Sequence, residues 1–519
     1  MIYKSWLASK NVSNKDKARI NEMNKLEKDK AFSSLLNFGT AGLRGIMDVG
    51  TNCINVYTVS HVSQAIADFM QKHNQKSIVL ACDTRNNSKL FLDTAINIFL
   101  LNNLNVFVFD SIVPISLLSY SVRYLGCDFG VYITASHNPK EYNGYKVFDH
   151  TGCQINETIA EEINQYRDNI DILKKYETAN KTAKIVDNSV KKAFIREIKN
   201  CKIHNCNNIN ITYSGLFGSG NNFVDKVLNS LGFDVHIVES QSEYNGDFPG
   251  LKTPNPEDES TFEEALKVAD KHKSDLIIAT DPDADRIGVM VYHNGEYIRL
   301  SGNQVGVLLA NYITKYKKTK KSCVIFSDVS TNMVKDICKK NKANTIIVPT
   351  GFKNIGAKIN NKKDEFVFGF EESCGYLVGP YIRDKDSVGA AVLIAEMAAF
   401  YKNKNMTLID ELYKLYERHG YHMEKTFSIF VNRPLSLLDM VHLITDGSIG
   451  FTNLNLTANM LFFDFKNKCS LFFRMSGTEP KMKAYLKVVS DREEESLNLL
   501  EEYSKIVEKV REKLENKLC

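Results

Sequence analysis

A strand-like apolar run followed by a helix-like stretch is the recurring unit of this sequence, and the series starts over twice along the chain. Ile78-Val79-Leu80-Ala81-Cys82-Asp83 reads as a buried strand, Leu90 to Leu101 as a helix and Val106 to Phe109 as a strand. After a further helix, Phe129-Gly130-Val131-Tyr132-Ile133 is another buried strand. Alternation at this pitch predicts βαβ units and a mostly parallel sheet, with function gathered at the carboxyl ends of the strands. Ahead of it, Lys15 to Leu36 and Val59 to Met70 read as helical.

The second cycle follows a helical stretch from Ser189 to Asn200. Its strands are Ile209 to Tyr213, Phe233 to Val238 and Leu276 to Thr280, and Phe248 to Glu257 is a proline-stiffened loop. The third cycle, from about Val305 to Glu417, contains the strands Val324 to Phe326, Thr345 to Val348 and Phe366 to Phe370. From about Tyr421 the pattern changes. Short β-like runs (Thr426 to Phe430, Met460 to Phe465, Ser470 to Phe473) alternate with helices. The last helix places Leu499, Leu500, Tyr503, Ile506, Val507, Val510 and Leu514 on one packing face.

With 519 residues, 43% hydrophobic and 25% charged, the chain has the length for three or four domains with sizeable cores. A net charge of +4 over 66 basic and 62 acidic residues leaves no footprint for nucleic acid or an anionic membrane. Met1 to Trp6 lacks the apolar core of a signal peptide. The most apolar region, Phe91 to Tyr120, is broken by Asp93, Asn102, Asn103, Asp110 and Pro114, so neither export nor a membrane span is expected, and the cytoplasm is. The 11 cysteines include no Cys-x-x-Cys pair and read as free thiols in a reducing compartment.

The loops that close the strands carry the chemistry. Thr134-Ala135-Ser136-His137-Asn138-Pro139 puts a serine on a turn just past a strand end. That placement suits a reactive hydroxyl, with His137 as a proton carrier and Lys146, one turn further on, as a cation. Phe38-Gly39-Thr40-Ala41-Gly42-Leu43-Arg44-Gly45 is a glycine loop whose amides can face an anion, with Arg44 as a charged fork.

Asp281-Pro282-Asp283-Ala284-Asp285-Arg286 places three carboxylates at alternate positions after a strand, where converging like charges call for a cation. Oxygen ligands favour Mg²⁺ or Ca²⁺. An EF-hand would need Gly and Glu where Arg286 and Tyr292 stand. Arg286 itself matches a phosphate.

Pro349-Thr350-Gly351-Phe352-Lys353-Asn354-Ile355-Gly356 approaches a P-loop, but Ala357-Lys358 follows in place of Lys-Ser/Thr. Glu371-Glu372-Ser373 offers acceptors and a hydroxyl suited to sugar hydroxyls, and Lys385 is flanked by acids. Arg474-Met475-Ser476-Gly477-Thr478-Glu479-Pro480-Lys481 collects Arg, two hydroxyls, a glycine amide and Lys for a phosphate clamp. Taken singly, each of these loops also reads as an ordinary polar turn.

Taken together, the chain resembles the α-D-phosphohexomutase superfamily of phosphoglucomutases and phosphomannomutases over nearly its whole length. The serine, triple-aspartate, Glu371-Glu372-Ser373 and Arg474-to-Thr478 loops occur in the family's order. Gly39 to Gly45, Thr253-Pro254-Asn255-Pro256-Glu257 and Gly351-Phe352-Lys353 are similar to the branch of bacterial phosphoglucomutases and the phosphopentomutase/glucose-1,6-bisphosphate synthase type.

The resemblance implies an α/β fold: three similar mixed-sheet α/β domains and a smaller C-terminal α+β domain around a central cleft. With the restarts above, the domains fall at residues 1–190, 191–303, 304–420 and 421–519. It implies a phosphoryl group on Ser136, and Mg²⁺ on Asp281, Asp283, Asp285 and a phosphoserine oxygen. Glu371 and Ser373 are implied on the sugar hydroxyls, and Arg474, Ser476, Gly477 and Thr478 on the non-reacting phosphate. Arg286, Gly351, Lys353 and Lys481 complete the expected substrate contacts. Arg44, His137, Lys146 and Lys385 complete the catalytic group, with the base among the last three.

Phosphomannomutase-type enzymes often carry a histidine two residues after the loop serine. Here that place is Gly375, which moves the base towards lysine. The implied activity is interconversion of glucose 1-phosphate and glucose 6-phosphate, with glucose 1,6-bisphosphate as activator. Mannose, N-acetylglucosamine or pentose phosphates and bisphosphate synthesis are alternatives. An NTP-dependent sugar kinase is disfavoured by the broken P-loop, and a silent sugar-phosphate binder by the intact loops. A monomer or homodimer with no nucleic-acid or membrane partner is expected.

Overall fold

The computed structural model describes residues 2–317, 319, 321–361, 365–431, 441, 452–457, 460–465, 469–475 and 481–516. The first sheet holds β1 (Leu43–Ile46), β2 (Ser77–Cys82), β3 (Asn105–Val108), β4 (Phe129–Ile133), β5 (Tyr142–Asp149) and β6 (Lys184–Ile185), in the order β1-β5-β4-β2-β3-β6. Strands β2, β3, β4 and β6 are parallel, while β5 returns antiparallel on β4 and β1 on β5. Both faces are covered, as continuous apolar strands demand. Ile78, Leu80, Phe129, Val131 and Ile133 join one core with the helices Val56–Lys72, Ser88–Leu101 and Glu157–Arg167. Val79, Ala81 and Tyr132 join another, which contains Ile115, Leu117 and Leu118 and runs on without a break into the next two domains.

The second sheet comprises β7 (Asn210–Ser214), β8 (Asp234–Ile237), β9 (Leu276–Thr280), β10 (Ile287–His293) and β11 (Glu296–Leu300), ordered β11-β10-β9-β7-β8. The third has β12 (Ser322–Ser327), β13 (Asn344–Val348), β14 (Glu365–Glu371) and β15 (Gly375–Leu377), ordered β13-β12-β14-β15. Each again ends its parallel strands in an antiparallel return, β9 to β10 and β14 to β15. The sheets are therefore mixed, where the alternation alone predicts mostly parallel ones. The return strands follow tight turns rather than helices, so they add no βαβ signal.

Two local expectations are corrected. The N-terminal helical stretch is two helices, Asn14–Glu22 and Lys25–Ala31, because Asn24 starts a new capping box with Glu27. Lys146 is delivered by β5, opposite Tyr132, rather than by a turn.

The fourth sheet is antiparallel throughout, with β16 (Tyr421–Phe430), β17 (Asn453–Thr457), β18 (Met460–Asp464), β19 (Ser470–Met475) and β20 (Lys481–Ser490) ordered β16-β20-β19-β18-β17. Leu461, Phe463, Leu471, Phe473 and Leu486 face the helix Glu493–Asn516, packing on its Leu499, Val507, Val510 and Leu514. Met460, Phe472 and Tyr485 point the other way, onto Val329 of the third domain. Among the described residues no helix is long and apolar enough to cross a membrane.

Candidate active site

The three return turns β4–β5, β9–β10 and β14–β15 occupy the same place in the three α/β domains, and they meet. Each contains a non-glycine residue with left-handed backbone: Ser136 (φ +52°), Ala284 (φ +55°) and Cys374 (φ +62°). The Asp283 carbonyl accepts from Ile115 N–H (3.0 Å), and the Cys374 carbonyl from Ile287 N–H (3.0 Å). Such strain persists only where surrounding structure holds it.

Ser136 Oγ donates to Asp281 Oδ2 (2.6 Å) and lies 3.2 Å from His137 Nδ1. Asp281 Oδ1 accepts from the backbone N–H groups of Asp285 (3.0 Å) and Arg286 (2.9 Å). Lys146 Nζ donates to Asp283 Oδ2 (2.7 Å) and Asp285 Oδ2 (3.1 Å), and Lys385 Nζ lies 3.2 Å from the same Asp285 oxygen. The three aspartates are buried, with one oxygen from each within 4.8 Å of the others. Asp283 Oδ1 and Asp285 Oδ1 have no hydrogen-bond partner among the described residues. Buried, unpartnered carboxylate oxygens beside a third carboxylate are the donor set that a hard divalent cation takes.

Burial drives the Asp281 carboxyl well above its usual range, and Asp283 and Asp285 add to the rise. Burial acts the same way on Asp285, but Lys146, Lys385 and Arg286 outweigh it and hold that carboxyl below the usual range. Burial alone would lower Lys146. Asp283, Asp285 and Asp384 overcome it and hold the ammonium above its ordinary value. Lys385 is raised against burial by Asp285 and Asp384.

A cavity of about 800 Å³ opens beside this group. Ser136, Lys146, Asp285 and Lys385 form its inner wall, while Arg44, Arg286, Gly351, Lys353, Glu371 and Arg474 reach it from several loops. Arg44 donates to Asn138 Oδ1 (2.9 Å), and Arg286 is paired with Glu257. Lys353 Nζ crosses from the third domain to Thr40 Oγ1 (2.8 Å) and Glu157 of the first. Gly351 N–H donates to Glu371 Oε1 (2.6 Å).

Ser373 is half-buried and is not among the lining residues. Ser476, Gly477, Thr478 and the Lys481 side chain lie outside the described residues. The amides of Gly39 and Gly42 bond each other's carbonyls, so these two do not face an anion, while Thr40, Ala41 and Arg44 of the same loop line the cavity.

Sequence reasoning named Thr134 and Glu257 only as members of motifs and gave Asp384 no role. In the structure the Thr134 hydroxyl lies 2.6 Å from Asp83 Oδ2 and 3.3 Å from Asp283 Oδ2, Glu257 pairs with Arg286, and Asp384 Oδ1 lies 4.0 Å from Lys385 Nζ. The available signal was position alone, since Asp83-Thr84-Arg85 also closes a strand.

Sequence models of phosphoglucomutase/phosphomannomutase α/β/α domains I, II and III match residues 35–173, 192–295 and 301–418. A phosphomannomutase of Mycoplasmoides pirum is 33% identical, over 98% of this chain and 97% of its own. A phosphoglucomutase of Staphylococcus haemolyticus is 32% identical over 90% and 93%. The fold matches the crystal structure of a putative phosphomannomutase from Thermus thermophilus at TM-score 0.73, with 22% identity over 92% and 99% of the two chains. Fold and relatives together define a phosphosugar mutase, an intramolecular phosphotransferase. The chain belongs to the phosphoglucomutase/phosphomannomutase family, within the α-D-phosphohexomutase superfamily.

Proposed function

We propose that the protein interconverts glucose 1-phosphate and glucose 6-phosphate, with Ser136 carrying the phosphoryl group between turnovers. The observation that carries this reading is Ser136 Oγ, 2.6 Å from a metal-competent carboxylate and on the wall of a cleft ringed by arginine and lysine. Phosphoryl transfer needs alignment and charge neutralisation more than covalent assistance. The C6 hydroxyl of glucose 1-phosphate attacks phosphorus, the bond from phosphorus to Ser136 Oγ breaks, the departing Ser136 oxygen takes a proton from His137, and the hydroxyl proton passes to a cleft-facing base. The bisphosphate turns over in the cleft. Ser136 Oγ, giving up its proton, then takes the C1 phosphoryl group; the bond from phosphorus to the C1 oxygen breaks, and that oxygen takes up the proton held by the base as glucose 6-phosphate leaves.

His137 stands nearest the serine oxygen and exchanges its proton, and Lys385 faces the cleft as the base, which requires that a cation on Asp285 first relieve the negative charge that holds its ammonium protonated. Lys146 fixes the orientation of Asp283 and Asp285. Asp281, Asp283 and Asp285 would hold Mg²⁺, which supplies positive charge at the transferred group. Arg44 and Arg286 face that group, while Lys353 and Arg474, with Ser476, Gly477, Thr478 and Lys481, bind the far phosphate. Gly351, Glu371 and Ser373 serve the sugar.

Support for a lysine base comes from Gly375. A Cβ there would lie 2.2 Å from Lys385 Cδ, so Lys385 fills the space that a side chain at 375 would need. The Mycoplasmoides relative favours mannose phosphates as a second reading. In this proposal glucose 1,6-bisphosphate is the activator, and the enzyme is a cytoplasmic monomer or homodimer.

A coupled assay with Mg²⁺ and a trace of glucose 1,6-bisphosphate, comparing glucose 1-, mannose 1- and ribose 1-phosphate, tests the substrate. Preference for mannose or ribose 1-phosphate would replace the glucose reading. Ser136→Ala is expected to abolish turnover with the fold intact, and wild-type turnover by that variant would sink the carrier assignment.

A further inference from the structure

Behind the serine turn lies a second buried charge that takes no part in the steps above. Arg85 is 3% exposed and sits in the turn after β2. Its Nη1 donates to the carbonyls of Pro139 (2.9 Å) and Tyr142 (3.0 Å), and its Nη2 to those of Ser136 and Asn138. A guanidinium has five N–H donors in a fixed plane, and here the four terminal ones each meet a carbonyl of one short segment. The remaining Nε lies 3.5 Å from Asp83 Oδ2, and Asp83 also accepts from Thr134 Oγ1 at the start of the same turn (2.6 Å).

The other side of this guanidinium is closed from the second domain. The Phe248 ring centroid lies 5.0 Å from Arg85 Cζ, and Phe248 is 1% exposed with φ +45°, a conformation strained for an aromatic residue. The two turns interlock around this stack. Asn86 Nδ2 donates to Asp247 Oδ1 (3.0 Å), and a Cβ on Gly246 would lie 2.3 Å from Asn86 N, so only glycine fits. Neither Arg85 nor Phe248 lines the substrate cavity.

We infer that Arg85 and Phe248 form a positioning lock through which the second domain holds the serine turn of the first in the conformation that presents Ser136 Oγ to Asp281. The inference rests on Ser136 being the phosphoryl carrier. Four carbonyls converging on one cation fix the path of the turn from residue 136 to residue 142, and with it the left-handed backbone of Ser136. The stack on Phe248 fixes the plane of the guanidinium. Because Asp281 lies in the same domain as Phe248, the lock sets the serine oxygen and its carboxylate partner by one contact.

Lysine can keep the charge but not the four planar donors. Arg85→Lys is expected to lower kcat about 10²-fold, as misplacement of reacting groups by about 1 Å does. KM for the sugar phosphate stays unchanged. Phe248→Leu, which keeps an apolar filler but removes the cation–π stack, is expected to lower kcat about tenfold with KM again unchanged. Guanidinium ion added to Arg85→Ala is expected to restore part of kcat.

Wild-type kcat in a folded Arg85→Lys or Phe248→Leu protein overturns the lock. So does a loss that appears only in KM, or that only follows the thermal unfolding midpoint. If Arg85→Lys does not fold, Phe248→Leu decides. Ser136→Ala is measured alongside. Turnover in that variant overturns the carrier reading and the lock with it, whereas an inactive Ser136→Ala beside a fully active Phe248→Leu overturns the lock alone.

Discussion

Lys146 shows how much one side chain balances in this site. It is the cation shared by Asp283 and Asp285, three buried groups in which each charge is tolerable only because of the others. Removing one member of a buried ion pair typically costs about 3–5 kcal/mol, since the partner charge stays behind without compensation. Lys146→Ala is therefore expected to lower the thermal midpoint sharply in metal-free buffer. Added Mg²⁺, taking up the same carboxylates, should restore a large part of it. Turnover should fall by about 10²-fold, the range for misplaced reacting groups, because Asp283 and Asp285 lose the group that orients them. Differential scanning calorimetry with and without Mg²⁺, beside steady-state rates, checks both, and an unchanged metal-free midpoint would contradict the balance. At this scale the sequence was informative about identity. Ser136 and the three aspartates stand out as reactive types just past strand ends, but nothing local says that Lys146 meets Asp283, 137 residues away.

At the scale of elements, the helix Ser387–Lys402 ties the third domain to the aspartate turn. Its N-cap Asp386 accepts from the N–H groups of Val388 (2.9 Å) and Gly389 (3.0 Å), as an N-cap carboxylate should. The next residue, Ser387, donates from its backbone N–H (3.3 Å) and its hydroxyl to the Ala284 carbonyl in the middle of that turn. Lys385, one residue before the cap, is thereby aimed at Asp285. Asp386→Ala is expected to cost about 0.5–2 kcal/mol as a lost cap, and to lower kcat by more than stability accounts for, because Lys385 loses its aim. Urea midpoints and kcat on the same preparation would show this, and a stability loss with unchanged kcat would argue against it. In sequence, Arg383-Asp384-Lys385-Asp386 looks like a solvated charge run. Burial of these residues is decided by the helix they cap, not by their composition.

At the scale of the whole molecule, the fourth domain docks through a cation and an apolar contact. Lys487 Nζ donates to the carbonyls of Asp328 (3.0 Å) and Ser330 (2.6 Å), beside the Val329, Met460, Phe472 and Tyr485 cluster. Burial pulls Lys487 from 10.5 to about 8, against the opposing carboxylates of Glu424, Glu372 and Asp328, with Lys335 the further cation near it. With its folded value below its unfolded one, the docked protein binds fewer protons between these limits, so stability gains from this group as pH rises from about 8 to about 10.5. Thermal unfolding of wild type and Lys487→Met across that range should show a relative gain for wild type, and parallel curves would refute it. The sequence by itself determined the strand–helix cycles, the change of pattern near Tyr421 and the loops that carry the chemistry, because each is a short run whose periodicity and turn residues act locally. The tertiary structure alone decided the antiparallel return strands, the meeting of three equivalent turns, and the partners of Lys146, Lys385 and Arg85. Those pairings join residues far apart in the chain, and their energies arise from burial that the packed domains create together.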